Sequence, residues 1–311
     1  MADRLIFGID GGGTRSRIAL ASLSGEVLCR LEGASTNMYA SQSEHVVETL
    51  RGLIEDACAT CGRSVSDISA GCIGSAGLSR PQEREKFSSA LLDLLGPDVP
   101  VKLCNDAEIL LVGGVGELQG ICLVSGTGSI ASGRLADGTL VRSGGMGWRL
   151  GDEGSAWWIG QQAICRGLRS EEFRDMPTGM MGELLHHFQL NENWELIPLF
   201  NNTSLDKAAI ASAAPIVTKA ALQGDVLALD ILHCAAEELY RLVASIVWQL
   251  PALSEARLVC AGGVMEYDSV VIEGFRGLLS DGLPAIHWMD AKGTALDGAL
   301  ILAQGALNIS E

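Results

Sequence analysis

Two glycine-rich turns that also carry hydroxyl side chains occupy matching places in the two halves of the chain. Glycines let backbone N–H groups approach an anion closely, since no Cβ stands in the way. Each turn alone is also typical of a plain hairpin, but two at matching places could hold a phosphate chain from both sides. In the first turn, the carboxylate of Asp10 could position Mg²⁺ through water. The turns are Asp10, Gly11, Gly12, Gly13, Thr14 and Ser125, Gly126, Thr127, Gly128, Ser129.

An acidic residue follows a predicted buried strand within the run Cys104-Asn105-Asp106-Ala107-Glu108. Open α/β sheets bind ligands at the carboxyl ends of their strands, and Asp106 would point into that crevice. Phosphoryl transfer needs positioning, charge neutralisation and a base for the incoming hydroxyl, and Asp106 suits the last role. The alternative is a helix N-cap, where Asp is favoured. The two roles can coexist.

Two further motifs allow a functional and a purely structural interpretation. Ala261, Gly262, Gly263 and Val264 follow an apolar strand, so adenine or ribose could approach their backbone, but a plain strand-to-helix loop also needs glycine. Asp152 opens a predicted helix and could accept hydrogen bonds from two sugar hydroxyls. The composition around Asp152 alone favours a helix cap.

These motifs lie within a predicted pattern of strands and helices that occurs twice. In the first half, strands are predicted at 5–10, 17–23, 26–32, 68–77 and 101–106, and helices at about 43–62 and 81–96 with a short one following. Residues 120–145 repeat the layout of residues 8–33. Helices then follow at about 153–169, 180–190, 205–223 and 225–250, with strands at 256–264 and 284–289 and a last helix from 294. A helix is also expected between those two strands.

Strands that alternate with helices after each three-stranded meander predict an α/β protein of two duplicated lobes. Each lobe would hold a mixed five-stranded sheet with helices on both faces, with a ligand cleft between the lobes. We expect residues 1–115 with 295–311 to form the N-terminal lobe, and residues 116–294 to form the C-terminal lobe.

Composition excludes several classes of partner. The net charge of −16 over 311 residues disfavours nucleic acid and anionic membranes, although ATP can still be held by backbone N–H groups and Mg²⁺. No apolar stretch reaches the ~20 residues of a membrane span, and the N-terminus lacks a signal-peptide layout, so we expect a cytoplasmic protein. The nine cysteines include one C-x2-C pair, Cys58 and Cys61, without a second pair to complete a zinc site. We therefore expect reduced, structural cysteines.

In this order and spacing, the motifs resemble the actin-like (ribonuclease H-like) ATPase superfamily, which includes hexokinase and the heat-shock ATPases. More closely, the chain resembles the N-acetylglucosamine kinase branch of the BadF/BadG/BcrA/BcrD ATPase family. The resemblance covers essentially the whole chain and is carried by GIDGGGT, GASTN, NDAE, SGTGSI, GGMGWRLGDEGSAWWIG and AGGV. A Cys/His zinc cluster of the kind in ROK sugar kinases is missing, since His186 and His187 lack nearby cysteines.

The resemblance implies roles for individual residues. It makes the first two turns the phosphate motifs, the residues from Ala261 to Val264 the adenosine motif, and Gly293 to Gly298 the start of a helix that connects the lobes. It places Asn37, Ser75, Asp106, Gly126, Thr127 and Asp152 at a sugar. After STN this chain has Met38 and Tyr39 where vertebrate-type kinases have an aromatic residue, which leaves the fit of the sugar's 2-substituent open.

The sequence thus predicts an ATP- and Mg²⁺-dependent kinase that phosphorylates the 6-hydroxyl of N-acetylglucosamine, with Asp106 as base. Glucosamine and N-acetylmuramic acid are the alternative acceptors, and a homodimer is expected by resemblance only. A different class, an iron–sulfur ATPase activator, would need cluster thiolates, for which only Cys58 and Cys61 are close together. A non-catalytic sugar sensor would have no use for Asp106 and both phosphate turns.

Overall fold

The computed structural model of the chain describes residues 4–12, 15–36, 43–75, 78, 81–201 and 206–307. The chain divides into two compact units. Unit 1 comprises residues 1–120, 134–139 and 290–311, and unit 2 comprises residues 121–133 and 140–289. Within the described residues, no helix is long and apolar enough to cross a membrane.

Unit 1 is built on a five-stranded sheet with the strand order β3-β2-β1-β4-β5. The first three strands form an antiparallel meander, and β4 and β5 continue the sheet parallel to β1. This is the predicted mixed sheet. The strands are β1 (Leu5–Gly11), β2 (Arg15–Ser22), β3 (Val27–Ala34), β4 (Ile68–Ser75) and β5 (Val101–Cys104), and the helices are α1 (Ser43–Thr60), α2 (Pro81–Leu95), α3 (Asp106–Val115) and, at the end of the chain, α12 (Ala295–Leu307).

Helix α12 packs directly on the centre of this sheet and on α3. A Cβ added at Gly8 of β1 would lie 2.9 Å from the Leu300 backbone nitrogen, so the helix reaches the strand without intervening side chains. Gly298 lies closer still to α3, since a Cβ there would stand 1.9 Å from the Ile109 carbonyl oxygen. The close packing of α12 that glycine allows at these two positions therefore fixes the places of β1 and α3, the elements that carry Asp10 and Asp106.

Unit 2 has the same topology, with the strand order β10-β9-β6-β7-β8. β9 is parallel to both β6 and β10, as β4 is parallel to β1 and β5. The duplicated layout predicted from the sequence is therefore confirmed. The strands are β6 (Gly120–Ser125), β7 (Ser129–Arg134), β8 (Leu140–Gly144), β9 (Arg257–Ala261) and β10 (His287–Trp288), and the helices are α4 (Ala156–Glu171), α5 (Met180–His187), α6 (Leu196–Asn201), α7 (Lys207–Ala211), α8 (Ala214–Leu222), α9 (Val226–Gln249), α10 (Gly263–Tyr267) and α11 (Ser269–Gly282).

Two of the predicted elements of unit 2 are wrong in extent. The single helix expected at 205–223 is two helices, because the chain turns at Ser212 and Ala213 and Pro215 lies in the first turn of α8, where its missing N–H is tolerated. The strand expected at 284–289 pairs only through His287 and Trp288. A helix at 196–201 was not predicted.

Candidate functional site

Strand register brings Asp10 and Asp106 to the same edge of the unit 1 sheet. Asp10 pairs with Gly74 from one side of β4, and Cys104 pairs with Gly74 from the other. Because the three strands are parallel, their carboxyl ends meet at this edge, and Asp106 follows Cys104 by two residues. The expectation that both carboxylates stand at strand ends is confirmed. Strand β5 is the outermost strand on its side of the sheet, so only its last residue, Cys104, is fully buried.

Asn105, and not Asp106, is the N-cap of α3. Its Oδ1 accepts a hydrogen bond from the Ala107 N–H at 2.9 Å, and its backbone is extended, as a cap requires. Asp106 is the first helical residue, and its Oδ1 also accepts from the Ala107 N–H at 2.9 Å. The cap interpretation of Asp106 is therefore wrong.

Asp106 is exposed at the surface of unit 1, yet desolvation of its carboxylate raises its pKa above the ordinary value. The backbone hydrogen bonds only partly offset this effect.

Asp10 lies half-buried at the end of β1 with one weak ion pair. Burial raises the pKa of its carboxyl, Arg17 at 3.9 Å lowers that pKa, and the negative charge of Asp106 raises it. A half-buried carboxylate of this kind, poorly neutralised by protein, fits a Mg²⁺ ion that keeps most of its waters. Within the described residues, no group of three or more His, Cys, Asp or Glu side chains could hold a metal ion by itself.

The first phosphate turn is held tightly against β4 and against the segment that precedes Asn37. A Cβ added at Gly11 would lie 2.7 Å from Thr36 Oγ1 and 2.9 Å from Ser75 Cβ, so only glycine fits. Thr36 is fully buried and its Oγ1 lies 2.7 Å from Ser16 Oγ. Gly12 donates its N–H to the Arg15 carbonyl across the turn. Gly13, Thr14, Asn37, Met38 and Tyr39 lie outside the described residues.

Ser75 is the predicted sugar residue that the structure leaves with an unpaired hydroxyl. Its side chain is 1 % exposed, and its Oγ has no hydrogen-bond partner within the part of the chain that the structure describes. A buried hydroxyl without a partner is costly, and such groups occur at functional sites. Ser75 ends β4, in register with Gly11.

In unit 2, the second phosphate turn is tied to the segment before α4. Ser125 Oγ donates to the Gly154 carbonyl at 2.9 Å, and Ser129 Oγ donates to the Glu153 carbonyl at 2.7 Å. The Ala156 N–H donates to the Gly126 carbonyl at 2.8 Å. The two motifs SGTGS and GDEG, whose hydrogen-bonded side chains and backbone groups are 23 to 29 residues apart, therefore form one structural element. Thr127 lies exposed at the tip of the turn.

Asp152 joins this element to a lysine that the sequence did not single out. Asp152 is 3 % exposed and its Oδ1 accepts from the Ser129 N–H at 3.2 Å. Its Oδ2 accepts from Lys207 Nζ at 2.6 Å, and a Cβ at Gly128 would touch both side chains. The cap interpretation of Asp152 is wrong, since Ser155 Oγ accepts from the Trp158 N–H and caps α4. No sequence signal links Lys207 to Asp152, because 55 residues separate them.

The AGGV motif packs on the second phosphate turn. Gly262 has a φ of +94°, and a Cβ there would lie 2.5 Å from the Ser125 carbonyl oxygen. The close approach of two backbones therefore requires glycine. Beside them opens a largely apolar cavity of about 820 Å³, within the size range of small-ligand sites. It is lined by Gly126, Thr127, Gly263, Val264, Tyr267, Thr218 and other residues of α7, α8 and α10.

The cysteines of the C-x2-C pair lie in the first unit, away from the residues above. Cys58 is buried in the core under the sheet, and burial raises the pKa of its thiol to about 11. Burial also raises the pKa of Cys29, whose Sγ donates to the Ala57 carbonyl, to about 11. The raised pKa values disfavour metal ligation and redox chemistry at Cys58 and Cys29.

Comparison with known proteins matches residues 7–302 to the model of the BadF/BadG/BcrA/BcrD ATPase family. An N-acetylmuramic acid/N-acetylglucosamine kinase of Clostridium acetobutylicum is 33% identical over 302 residues, which cover 97% of this chain and 98% of that protein. An N-acetyl-D-glucosamine kinase of Dictyostelium discoideum is 27% identical over 97% of this chain and 98% of its own. A Chromobacterium violaceum protein, solved as a candidate N-acetylglucosamine kinase, has a TM-score of 0.68 at 25% identity and covers 97% of this chain and 100% of its own.

Proposed function

The chain belongs to the BadF/BadG/BcrA/BcrD ATPase family, and we propose that it is an ATP-dependent kinase that phosphorylates N-acetylglucosamine on its 6-hydroxyl. The kinase names of the relatives that match over nearly the full length support this proposal. The observation that carries it is Asp106, an exposed carboxylate with a raised pKa at the carboxyl end of β5, in a helix whose N-cap is supplied by another residue.

Asp106 is proposed to accept the proton of the sugar hydroxyl as that oxygen attacks the terminal phosphorus of ATP. A carboxylate with a raised pKa is a stronger base than an ordinary Asp. Its place in the first turn of α3, packed on α12, holds the carboxylate in position before the sugar binds.

The two phosphate turns are proposed to hold the phosphate chain of ATP through backbone N–H groups. The residues proposed for this are Asp10, Gly11, Gly12, Gly13, Thr14, Ser125, Gly126, Thr127, Gly128 and Ser129. Asp10 would hold Mg²⁺ through water, and the ion would supply neutralisation of the phosphate charge. Holding phosphates through backbone N–H groups and Mg²⁺ is compatible with a protein that carries a net charge of −16.

For the nucleoside, the proposed site is the cavity beside Ala261, Gly262, Gly263 and Val264. Its apolar lining suits the faces of a flat base, and its volume of about 820 Å³ is ample for one. For the sugar, the proposed contacts are Asn37, Ser75, Asp106, Gly126, Thr127 and Asp152. The unpaired Oγ of Ser75 supports its proposed contact with the sugar. A sugar hydroxyl, or a small backbone shift, would give this oxygen a hydrogen-bond partner.

Glucosamine and N-acetylmuramic acid remain the alternative acceptors for the same chemistry. The Clostridium relative carries both N-acetylated sugars in its name, which favours N-acetylmuramic acid as the second acceptor. The sugars differ only in their substituents at carbons 2 and 3, so the proposed roles of Asp106 and the phosphate turns are the same for all three.

ADP release from the purified protein with Mg²⁺ and ATP tests the proposal, with N-acetylglucosamine, N-acetylmuramic acid, glucosamine, glucose or no sugar as the variable. Strong stimulation by N-acetylglucosamine, with phosphate found on the 6-oxygen by NMR, is the expected result. Hydrolysis that no sugar stimulates would refute the kinase assignment and direct attention to an ATPase activator, for which the next measurement is iron content.

A further inference from the structure

Lys207 places a positive charge directly on the carboxylate that we propose contacts the sugar. Its Nζ lies 2.6 Å from Asp152 Oδ2, and the other oxygen of that carboxylate is hydrogen-bonded to the Ser129 N–H. The Lys207 side chain is 24% exposed and that of Asp152 is 4% exposed. The ammonium is therefore the more solvent-exposed member of the pair.

The position of Lys207 is set by the packing of its helix. Lys207 is the first residue of α7, which is capped by Asp206 and packs on α4. A Cβ at Gly160 of α4 would lie 2.2 Å from the Ile210 carbonyl oxygen, so the two helix backbones are in direct contact. Since α4 itself follows the Asp152 segment, both members of the ion pair are fixed to the same helix pair.

The pair changes the charge that this part of the site presents. A lone Asp152 would offer one negative charge and would attract a cationic sugar, whereas Asp152 with Lys207 offers none. Asp206, which accepts a hydrogen bond from the Ala208 N–H, and Glu153 are neighbouring acidic residues, so the pair neutralises Asp152 alone. A sugar group hydrogen-bonded to Asp152 would lie within a Debye length, ~8 Å, of the Lys207 ammonium.

Resting on the proposed function, we infer that Lys207 is a specificity-determining residue that makes the site favour uncharged 2-acetamido sugars over glucosamine. The protonated amine of glucosamine meets an ammonium where an unpaired carboxylate would otherwise attract it. Rejection by like charge is a common way in which a site selects between ligands of similar shape. The acidic net charge of the protein would by itself favour a cationic sugar, and Lys207 opposes that preference at Asp152.

The test compares kcat/KM for N-acetylglucosamine and glucosamine at pH 6.5, with saturating ATP, in the wild type and in Lys207→Met. We expect the wild type to prefer N-acetylglucosamine, and Lys207→Met to reduce that preference by tenfold or more, mainly through better use of glucosamine. Lys207→Arg keeps the positive charge and should keep the preference. Lys86→Met, which removes an exposed lysine of α2, is the matched control and should leave the ratio unchanged.

A second comparison needs no variant and remains informative if Lys207→Met fails to fold. Glucose has a neutral hydroxyl where glucosamine has an ammonium, so charge rejection predicts that wild-type kcat/KM is higher for glucose by tenfold or more. Equal values for glucose and glucosamine would mean that a missing contact with the acetyl group explains the preference, and would overturn the inference.

The outcomes separate this inference from the proposed function. A folded Lys207→Met protein whose preference equals that of the wild type overturns the role of Lys207 and leaves the kinase assignment intact. So does a wild type that uses both amino sugars equally well. A wild type that phosphorylates no sugar overturns both.

Discussion

The carboxylate of Asp106 lies near enough to that of Asp10 for its negative charge to raise the Asp10 pKa. Desolvation raises the pKa of both groups, and the Arg17 guanidinium, 3.9 Å from Asp10, lowers the pKa of Asp10. Two desolvated carboxylates that repel each other are unfavourable for folding, and such pairs are concentrated at functional sites. The arrangement suits a site that receives a metal ion and a hydroxyl proton.

Replacing Asp106 by Asn should lower kcat by ~10²–10⁴-fold, the range of general-base contributions. The amide keeps the shape and the hydrogen bond from Ala107 but cannot accept the proton. Coupled measurement of ADP release with N-acetylglucosamine checks this. Asp98→Asn, on an exposed turn of the same unit, is the control and should be unaffected. A kcat of Asp106→Asn within threefold of the wild-type value would refute the proposed role of Asp106 as the base.

The same substitution should increase the stability of the protein at pH 7. Because the folded-state pKa of Asp106 is raised, the folded protein favours its protonated form, and that favourable contribution is lost as pH rises through the folded pKa. At pH 7 the ionised carboxylate therefore destabilises the fold, and Asn removes this effect. Urea unfolding at pH 7 should show Asp106→Asn as the more stable protein. The gain should shrink as pH falls through the folded pKa and disappear well below pH 3.8, the ordinary value, where the wild-type group is protonated in both states. An Asp106→Asn protein that is less stable than the wild type at pH 7 would contradict the predicted direction of the stability change.

Gly262 and Gly263 are adjacent but should respond very differently to alanine. A Cβ at Gly262 meets the backbone of Ser125 and Gly126 at 2.5–2.9 Å, and the φ of +94° is strained for any other residue. At Gly263 the nearest atom is Tyr267 Cδ2 at 3.9 Å. We expect Gly262→Ala to lower the free energy of unfolding by ~1–3 kcal/mol and to weaken ATP binding, because the second phosphate turn must move.

Gly263→Ala is the matched control for stability, and its free energy of unfolding should stay within about 0.5 kcal/mol of the wild-type value. Urea unfolding of the two variants, with ATP binding followed by calorimetry for Gly262→Ala, makes the comparison. Equal stability of the two variants would show that the AGGV loop can shift away from the turn.

Much of the fold could be predicted because its signals are local. Strand β1 ends in Asp10 and a glycine turn, and β6 ends in Ser125 and another, so the repeated meanders can be identified from short stretches. The predicted helix at 205–223 was wrong because helical spacing continues through Ser212 and Ala213, where the chain turns. Pro215, which is favoured in the first turn of a helix, is the local signal for that break, and the predicted single helix passed over it.

The parts of the site that could not be predicted are pairings across long separations. Asp152 and Lys207 are 55 residues apart, and Ser16 and Thr36 meet only because β2 and β3 pair. The helix caps were also assigned to the wrong residues. Asn105 and Ser155 are the caps, each near an Asp that the sequence made the obvious candidate. Which of two nearby residues caps a helix depends on backbone angles that the sequence does not display.

Arg134 and Glu108 form a buried ion pair whose loss should affect the position of Asp106. Arg134 is 4% exposed and its Nε donates to Glu108 Oε1 at 2.9 Å, while Lys102 Nζ lies 2.7 Å from the same oxygen. Glu108 lies in the first turn of α3, two residues after Asp106. Removing one partner of a buried pair typically lowers stability by ~3–5 kcal/mol, because the other charge stays buried.

We therefore expect Arg134→Met to lower the free energy of unfolding by ~3 kcal/mol, toward the low end of that range because Lys102 still pairs with Glu108. Arg241→Met removes an exposed arginine that pairs with Glu237 and Glu238 on α9, and it should change stability by less than ~1 kcal/mol. Urea unfolding of both variants measures the difference. If the two losses are equal, Lys102 alone neutralises Glu108, and the start of α3 does not depend on Arg134. A large loss with reduced kcat in the remaining folded protein would mean that the pair also helps to hold Asp106 in place.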